Sequence, residues 1–288
     1  MQVIRLNRLN YMENDFAYDP VTALSEVDAK GEIAVIFNDI RCTMQIPILT
    51  SIWRGLASIE NGVSSTWRNI KPMYQTQAPF DTLANVLRKI DLIPKGTSKI
   101  SIRKIGLEVE EFRRLRDIIK AYNRSNGLNF LTMNALINSE SQLKYIQEEK
   151  RAVPKIASLV KLLHREEIAD ADWKLVVQAN SLGASTGIKT HVATLWRHLA
   201  YWPEFLKFVH QEFCRMNQNR VFHKLSETIV KVAQCESRFI DKKQCNFDNL
   251  PIEAQRVVSG YASSPVQVAR MVVVGNMLEK WTESWMQN

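Results

Sequence analysis

The chain has 288 residues, 45% apolar and 24% charged, the balance of a globular protein with a substantial core. Only 10 Gly and 9 Pro are present, too few for a fold built from many short strands and turns. A formal charge of +8 would suit nucleic acid, an anionic surface or a small anionic substrate. The basic segments Lys99–Lys104 and Arg113–Lys120 bring no zinc knuckle, basic zipper or RNP-like aromatics, and the second is interleaved with Glu110, Glu111 and Asp117. They read as solvated surface, so nucleic acid is not the expected partner. Cys42, Cys214, Cys235 and Cys245 form no CxxC pair and have no histidine at ligand spacing, so neither a metal site nor a disulfide framework is expected. The first residues, MQVIRLNRLNYMEND, have no signal-peptide apolar run, which makes the cytoplasm the expected location.

Taken in chain order, the apolar periodicity is helical. Glu32–Met44 carries Ile33, Val35, Ile36, Ile40 and Met44 on one face, and Pro47 suits the first turn of a second helix running to Ala57. Ser64–Met73 and Phe80–Ile93 predict two more. Glu108–Ala121 is amphipathic, with Phe112, Leu115, Ile118 and Ile119 inward; RSNG at Arg124–Gly127 predicts a break before another helix over Leu128–Asn138. Ser139–Lys155 is charged and contains Pro154, as a boundary would. A short helix is expected over Ile156–His164 and a loop over Asn180–Thr186. Near the end, the apolar run Val272–Leu278 is too short to span a bilayer, so no membrane partner is expected.

One segment recurs. IWRGLA at Ile52–Ala57 matches LWRHLA at Leu195–Ala200, setting Trp53 on Trp196, Arg54 on Arg197, Leu56 on Leu199 and Ala57 on Ala200. In a slightly shorter register Tyr122 falls on Tyr261 and Ser125 on Ser264, each at a predicted helix junction. Two matches in the same order favour duplication. The expected fold is all-α, two homologous helical repeats packed as an intramolecular pseudo-dimer. Residues 1–140 would hold an N-terminal segment and the first repeat, 141–175 a linker and 176–288 the second repeat. Trp53 and Trp196 read as core packing. Arg54 and Arg197 read as architectural, binding backbone carbonyls or an acid such as Asp39.

Four segments also resemble a known family. They are IFNDIRCTMQIP (Ile36–Pro47), the RGLA of Arg54–Ala57, AYNRSNGLNFLTMNAL (Ala121–Leu136) and LAYWPEFL (Leu199–Leu206). In this order they are similar to segments of the group I 2-haloacid dehalogenases, which handle both D- and L-2-haloacids. The resemblance implies an all-α fold with two related repeats and a buried site between them. It also implies a direct displacement: an Asp activates a water that attacks C2 and expels halide with inversion, and an Asn helps to hold that water. The Asn falls on Asn126. Counted back from Trp202-Pro203, the Asp falls on Leu195 and the preceding Ser on Thr194. The family's aromatic pair falls on Ile48 and Ser51, and its Tyr after the Asn on Asn129. No Asp or Glu occurs between Trp173 and Pro203, so a shifted register restores no carboxylate. The loss matters, because general-base catalysis is worth roughly 10² to 10⁴-fold in rate.

The repeat itself predicts a pocket where corresponding faces meet. His191, Leu195 and His198 fall on one side of a helix bordered by Thr194, opposite Ile48, Ile52, Gly55 and Ser51. An apolar chamber with a few hydroxyls, the Asn126 amide and imidazoles is the usual make-up of a small-molecule site. His191 either replaces the lost Asp as base or flanks the helix start, and His198 either reaches the chamber or bonds within the core. Asn126, His191 and Thr194 are thus the candidate catalytic residues, with Ile48, Ser51, Ile52, Asn129, Leu195 and His198 as the candidate lining. No cofactor or metal is called for. The expected function is a dehalogenase-like hydrolase or lyase reaction on a small organic acid, divergent because of Leu195. A non-catalytic ligand-binding or structural protein on the same scaffold is the alternative, and a homodimer is left open.

Overall fold

A computed structural model describes residues 24–98, 101–138, 158–242 and 245–287. Every regular element among them is helical. In chain order these are α1 (Gly31–Met44), α2 (Ser51–Leu56), α3 (Gly62–Ile70), α4 (Ala78–Arg88), α5 (Val109–Ile137), α6 (Asp170–Asn180), α7 (Thr194–His198), α8 (Pro203–Gln218), α9 (Val221–Glu236), α10 (Ile252–Ser263) and α11 (Val268–Glu283), joined in places by 3₁₀ turns such as Lys71–Gln75. The all-α expectation holds. No helix among the described residues is long and apolar enough to cross a membrane.

α5 is the axis of the molecule. It starts on a capping box in which Glu108 and Glu111 satisfy each other's free backbone N–H groups. From Ala121 onward nearly every side chain is buried, because α4, α9, α10 and α11 surround it. The break expected at RSNG does not occur: helix runs straight through Arg124–Gly127. The physical reason is packing. A Cβ on Gly127 would sit 2.8 Å from the Leu83 methyls, so this glycine admits α4 and makes no turn. A buried helix readily absorbs the ~1 kcal/mol propensity cost of one glycine. In the second half the chain does break, at Ser264 between α10 and α11. Tyr261 therefore lies near a junction, whereas Tyr122 lies inside a continuous helix.

Two further expectations are corrected. Pro47 does not open a helix; α1 ends with Gln45 in the left-handed region, and α2 begins only at Ser51. Between them the Glu26 carboxylate accepts from the Leu49 N–H at 2.9 Å, holding the segment out of helical register. Of the helix expected over Ile156–His164, residues 156 and 157 lie outside the described residues, and 158–164 are irregular. Their carbonyls serve side chains from the α7 region instead. Arg197 donates Nε and Nη2 to Leu163 O at 3.1 and 2.6 Å, His198 Nε2 donates to Val160 O at 2.6 Å, and Tyr201 donates to Lys161 O at 2.8 Å. The charged boundary segment Ser139–Lys155 lies outside the described residues.

Trp53 and Trp196 are both fully buried. Trp53 meets Trp67 edge to face and donates Nε1 to Asn129 Oδ1 at 3.1 Å. Asp39 accepts from Trp67 and Lys71, each at 2.7 Å.

Candidate functional site

A cavity of about 230 Å³ lies where the start of α2, the middle of α5, the segment before α7 and the α10–α11 junction converge. Ser51, Asn126, His191, Thr194 and Leu195 all line it. They come from three stretches of chain far apart in sequence, and it is the packing of α5 against α2 and α7 that brings them together. Ala193, Leu195, Val266, Val268 and Met271 give the cavity apolar lining. Thr50, Tyr122, Tyr261 and Arg270 add polar groups. Among the described lining residues there is no Asp or Glu.

The central polar contact is between Ser51 Oγ and His191 Nε2, 3.3 Å apart. His191 precedes α7 and is not on it, so the helical stripe expected for His191, Leu195 and His198 is replaced by a loop residue followed by a short helix. Asn180, at the end of α6, clamps that loop on both sides: its Nδ2 donates to His191 O at 3.1 Å and its Oδ1 accepts from Ala193 N at 3.1 Å. Burial, then the positive charges of Arg270 and Arg54, push the His191 imidazole down to about 4. At neutral pH it is uncharged and can accept a proton.

Asn129 is buried one layer behind this wall. Its Nδ2 donates to Thr50 Oγ1 at 2.9 Å, and its Oδ1 accepts from Trp53 and, at 3.4 Å, from Tyr74. Ile52 is buried in the core. Ile48 and His198 line a larger cleft of about 1040 Å³ with Arg54, Arg197 and the 158–164 segment. His198 is satisfied there: since Val160 O can only accept, Nε2 carries the proton, and Nδ1 accepts from Tyr122 O–H at 3.2 Å. Burial holds its pKa below the ordinary value, with Arg197 adding to this and the Val160 hydrogen bond opposing it. Tyr122 lines both spaces, so it separates them. Burial pushes its phenol up to about 12.

Tyr261 and Arg270 escaped the sequence reading as site residues. Tyr261 was visible only as a repeat match. Arg270 had a signal of its own, a lone cation inside the apolar run of α11. Among the described residues no group of three or more His, Cys, Asp or Glu is placed to hold a metal.

The fold is similar to that of solved D-2-haloacid dehalogenase structures. The chain superposes on a D-2-haloacid dehalogenase mutant in complex with D-2-CPA with a TM-score of 0.71, and on a crystal structure of a D-2-haloacid dehalogenase mutant with 0.72; each match is 12% identical and covers 94% of this chain and 97% of the other. A D-2-haloacid dehalogenase in complex with L-LA gives 0.68 at 13% identity, covering 94% of both chains. In sequence the chain is similar to a configuration-inverting 2-haloacid dehalogenase of Alcaligenes xylosoxydans xylosoxydans, 26% identical over 208 residues that span 68% of each protein. No protein-family model matches it.

Proposed function

We propose that the chain is a haloacid-dehalogenase-like enzyme acting on a small organic acid between two related helical repeats. In this reading Leu195 stands where the family has its Asp, and His191 supplies the base. The observation that carries it is the Ser51–His191 pair inside a cavity with no carboxylate on its described walls. A neutral imidazole there accepts a proton from a water or from the substrate. The Ser51 and Thr194 hydroxyls and the Asn126 amide orient the reacting groups, and Leu195 keeps that wall dry. Support for the repeats comes from element order: α2 and α7 are short helices carrying Trp53 and Trp196, each followed by a longer helix, and both lead to the central α5, α10 and α11. Residues 1–140 and 176–288 are the repeats in this reading, with 141–175 between them.

A second reading, a ligand-binding protein without catalysis, is favoured by one feature: an imidazole held near 4 is a weak base. Chloride release from racemic 2-chloropropionate separates the two. The enzyme reading expects slow release by the unaltered protein, loss of release in His191→Gln, and faster release in Leu195→Asp. Undiminished release by a folded His191→Gln protein would sink it. Binding of the acid with no release by the unaltered chain, and none from related 2-substituted acids, would leave the binding protein.

A further inference from the structure

Ser51 and His191 form a pair that water activation alone does not require. Among the described residues the partner of the imidazole ring is the Ser51 hydroxyl, its Oγ 3.3 Å from Nε2. Both side chains are partly buried and both line the cavity of about 230 Å³, so the hydroxyl faces the ligand space and the imidazole at once. The base is held in place by a third residue: Asn180 Nδ2 donates to His191 O and its Oδ1 accepts from Ala193 N, each at 3.1 Å. The ring is neutral at pH 7. With Nδ1 carrying the proton, Nε2 accepts from the Ser51 O–H. A hydroxyl within hydrogen-bond reach of a neutral base, with the base held by a further group, is the arrangement that makes serine a nucleophile.

The chemistry of a serine oxygen restricts what it attacks. Displacement at C2 of a haloacid would leave a serine ether, which general-base chemistry does not cleave. Attack at a carbonyl leaves an ester, which the same imidazole can open again by activating water. The cavity suits a short acyl group: Leu195, Val268 and Met271 are apolar lining, and the Asn126 amide and Thr194 hydroxyl belong to the same walls as donors for a carbonyl oxygen. The positive charges of Arg270 and Arg54 disfavour an imidazolium but favour the oxyanion that forms together with it.

We propose that Ser51 is a nucleophile with His191 as its general base, giving the cavity a second activity: hydrolysis of short-chain acyl esters through an acyl-Ser51 intermediate. Ser51 Oγ bonds to the ester carbonyl carbon as its proton passes to His191 Nε2. The C–O bond to the alcohol then breaks, and the alcohol leaves with that proton. Water attacks the acyl carbon next and gives a proton to Nε2; the acid is released as the Ser51 oxygen takes that proton back. Water is the only co-reactant. The activity shares residues with the dehalogenase-like reading but does not depend on it, since no halide leaves.

The test treats the full chain with p-nitrophenyl acetate, quenches in acid and maps the acetyl group by peptide mass spectrometry. The label is expected on Ser51. Ser51→Ala abolishes it, and His191→Gln slows it by at least about tenfold. Acetyl found only on lysines or cysteines overturns the proposal, as does Ser51 labelling that is equally fast in a folded His191→Gln protein. Should His191→Gln fail to fold, the pH profile of Ser51 labelling in the unaltered chain decides. A level rate near neutrality that falls toward about 4 marks the imidazole, whereas a rate that rises with hydroxide throughout overturns its role. Ser51 acetylation without chloride release from 2-chloropropionate keeps the esterase and removes the dehalogenase-like reaction. Chloride release without Ser51 acetylation does the reverse.

Discussion

His191 works against its own surroundings. Burial and two arginines keep it neutral far into the acid range, which guarantees a free acceptor but weakens it as a base. Its protonation should therefore limit activity only at low pH. For the free protein, kcat/KM for a small organic acid is expected to stay level from pH 8 to about 5 and then fall with an inflection near the imidazole's value of about 4. His191→Gln should lower kcat by roughly 10² to 10⁴-fold, the usual worth of a general base. Which residues share this cavity was partly legible beforehand: Ser51, Asn126, His191, Thr194 and Leu195 followed from the repeat and the family resemblance, and all five line it. Asn129, Ile48 and His198 were harder to place, because a pattern of spacing identifies a face and cannot say which of two layers, or which of two spaces, that face borders.

At the scale of elements, sequence reasoning succeeded where a helix has one apolar face and faltered where burial is all-round. α1 and the first half of α5 announce themselves by period. The second half of α5 has no polar face, so Ser125, Asn126 and Gly127 resemble a turn until α4 and α11 are packed on them. The same logic separates two glycines. A Cβ on Gly275 would lie 2.2 Å from Asn123 Oδ1, on a side chain whose Nδ2 donates to Gly275 O at 3.0 Å and to Glu279 at 2.6 Å. Gly275→Ala must push that buried amide off both acceptors at the α5–α11 contact, so a loss of about 1–3 kcal/mol is expected in urea unfolding. Gly260 in α10 has open space around its Cβ position. Gly260→Ala should instead stabilise by about 0.5–1 kcal/mol, the helix-propensity difference alone. Equal effects of the two would mean that close helix contact at Gly275 does not govern the packing of α11 on α5. The 158–164 segment lost its expected helix for a related reason: Arg197, His198 and Tyr201 compete for its carbonyls, and that competition is invisible to local pattern.

Across the whole molecule, the all-α architecture was legible because helical period recurs from end to end and turn-forming residues are scarce. The expected duplication rested on two short matches alone, one at the buried Trp53 and Trp196 and one at Tyr122 and Tyr261. α5 and α11 pack against each other beside the cavity, which Tyr122 and Asn126 of α5 and Val268, Arg270 and Met271 of α11 line. That links acid sensitivity of the fold to the site. A histidine whose folded pKa lies below its unfolded value of about 6.5 contributes stability that is fully present above 6.5 and is lost as pH falls toward the folded value. For His191 the window runs from about 6.5 down to about 4, and the loss is on the order of 3 kcal/mol. His198 is shifted in the same direction and adds to the slope. Several carboxylates, Asp39 among them, are also held low: burial works against Asp39, but hydrogen bonds and charge from Lys71 and Trp67 prevail. Their contribution disappears only at still lower pH, through their own depressed values. Urea unfolding at pH 7, 5.5 and 4 should therefore show a steady decline for the unaltered chain. A His191→Gln protein, having no imidazole to protonate in the cavity wall, should decline by about 2–3 kcal/mol less over the same range. Parallel declines in the two proteins would mean that His191 is open to solvent in the native state, and the cavity with it.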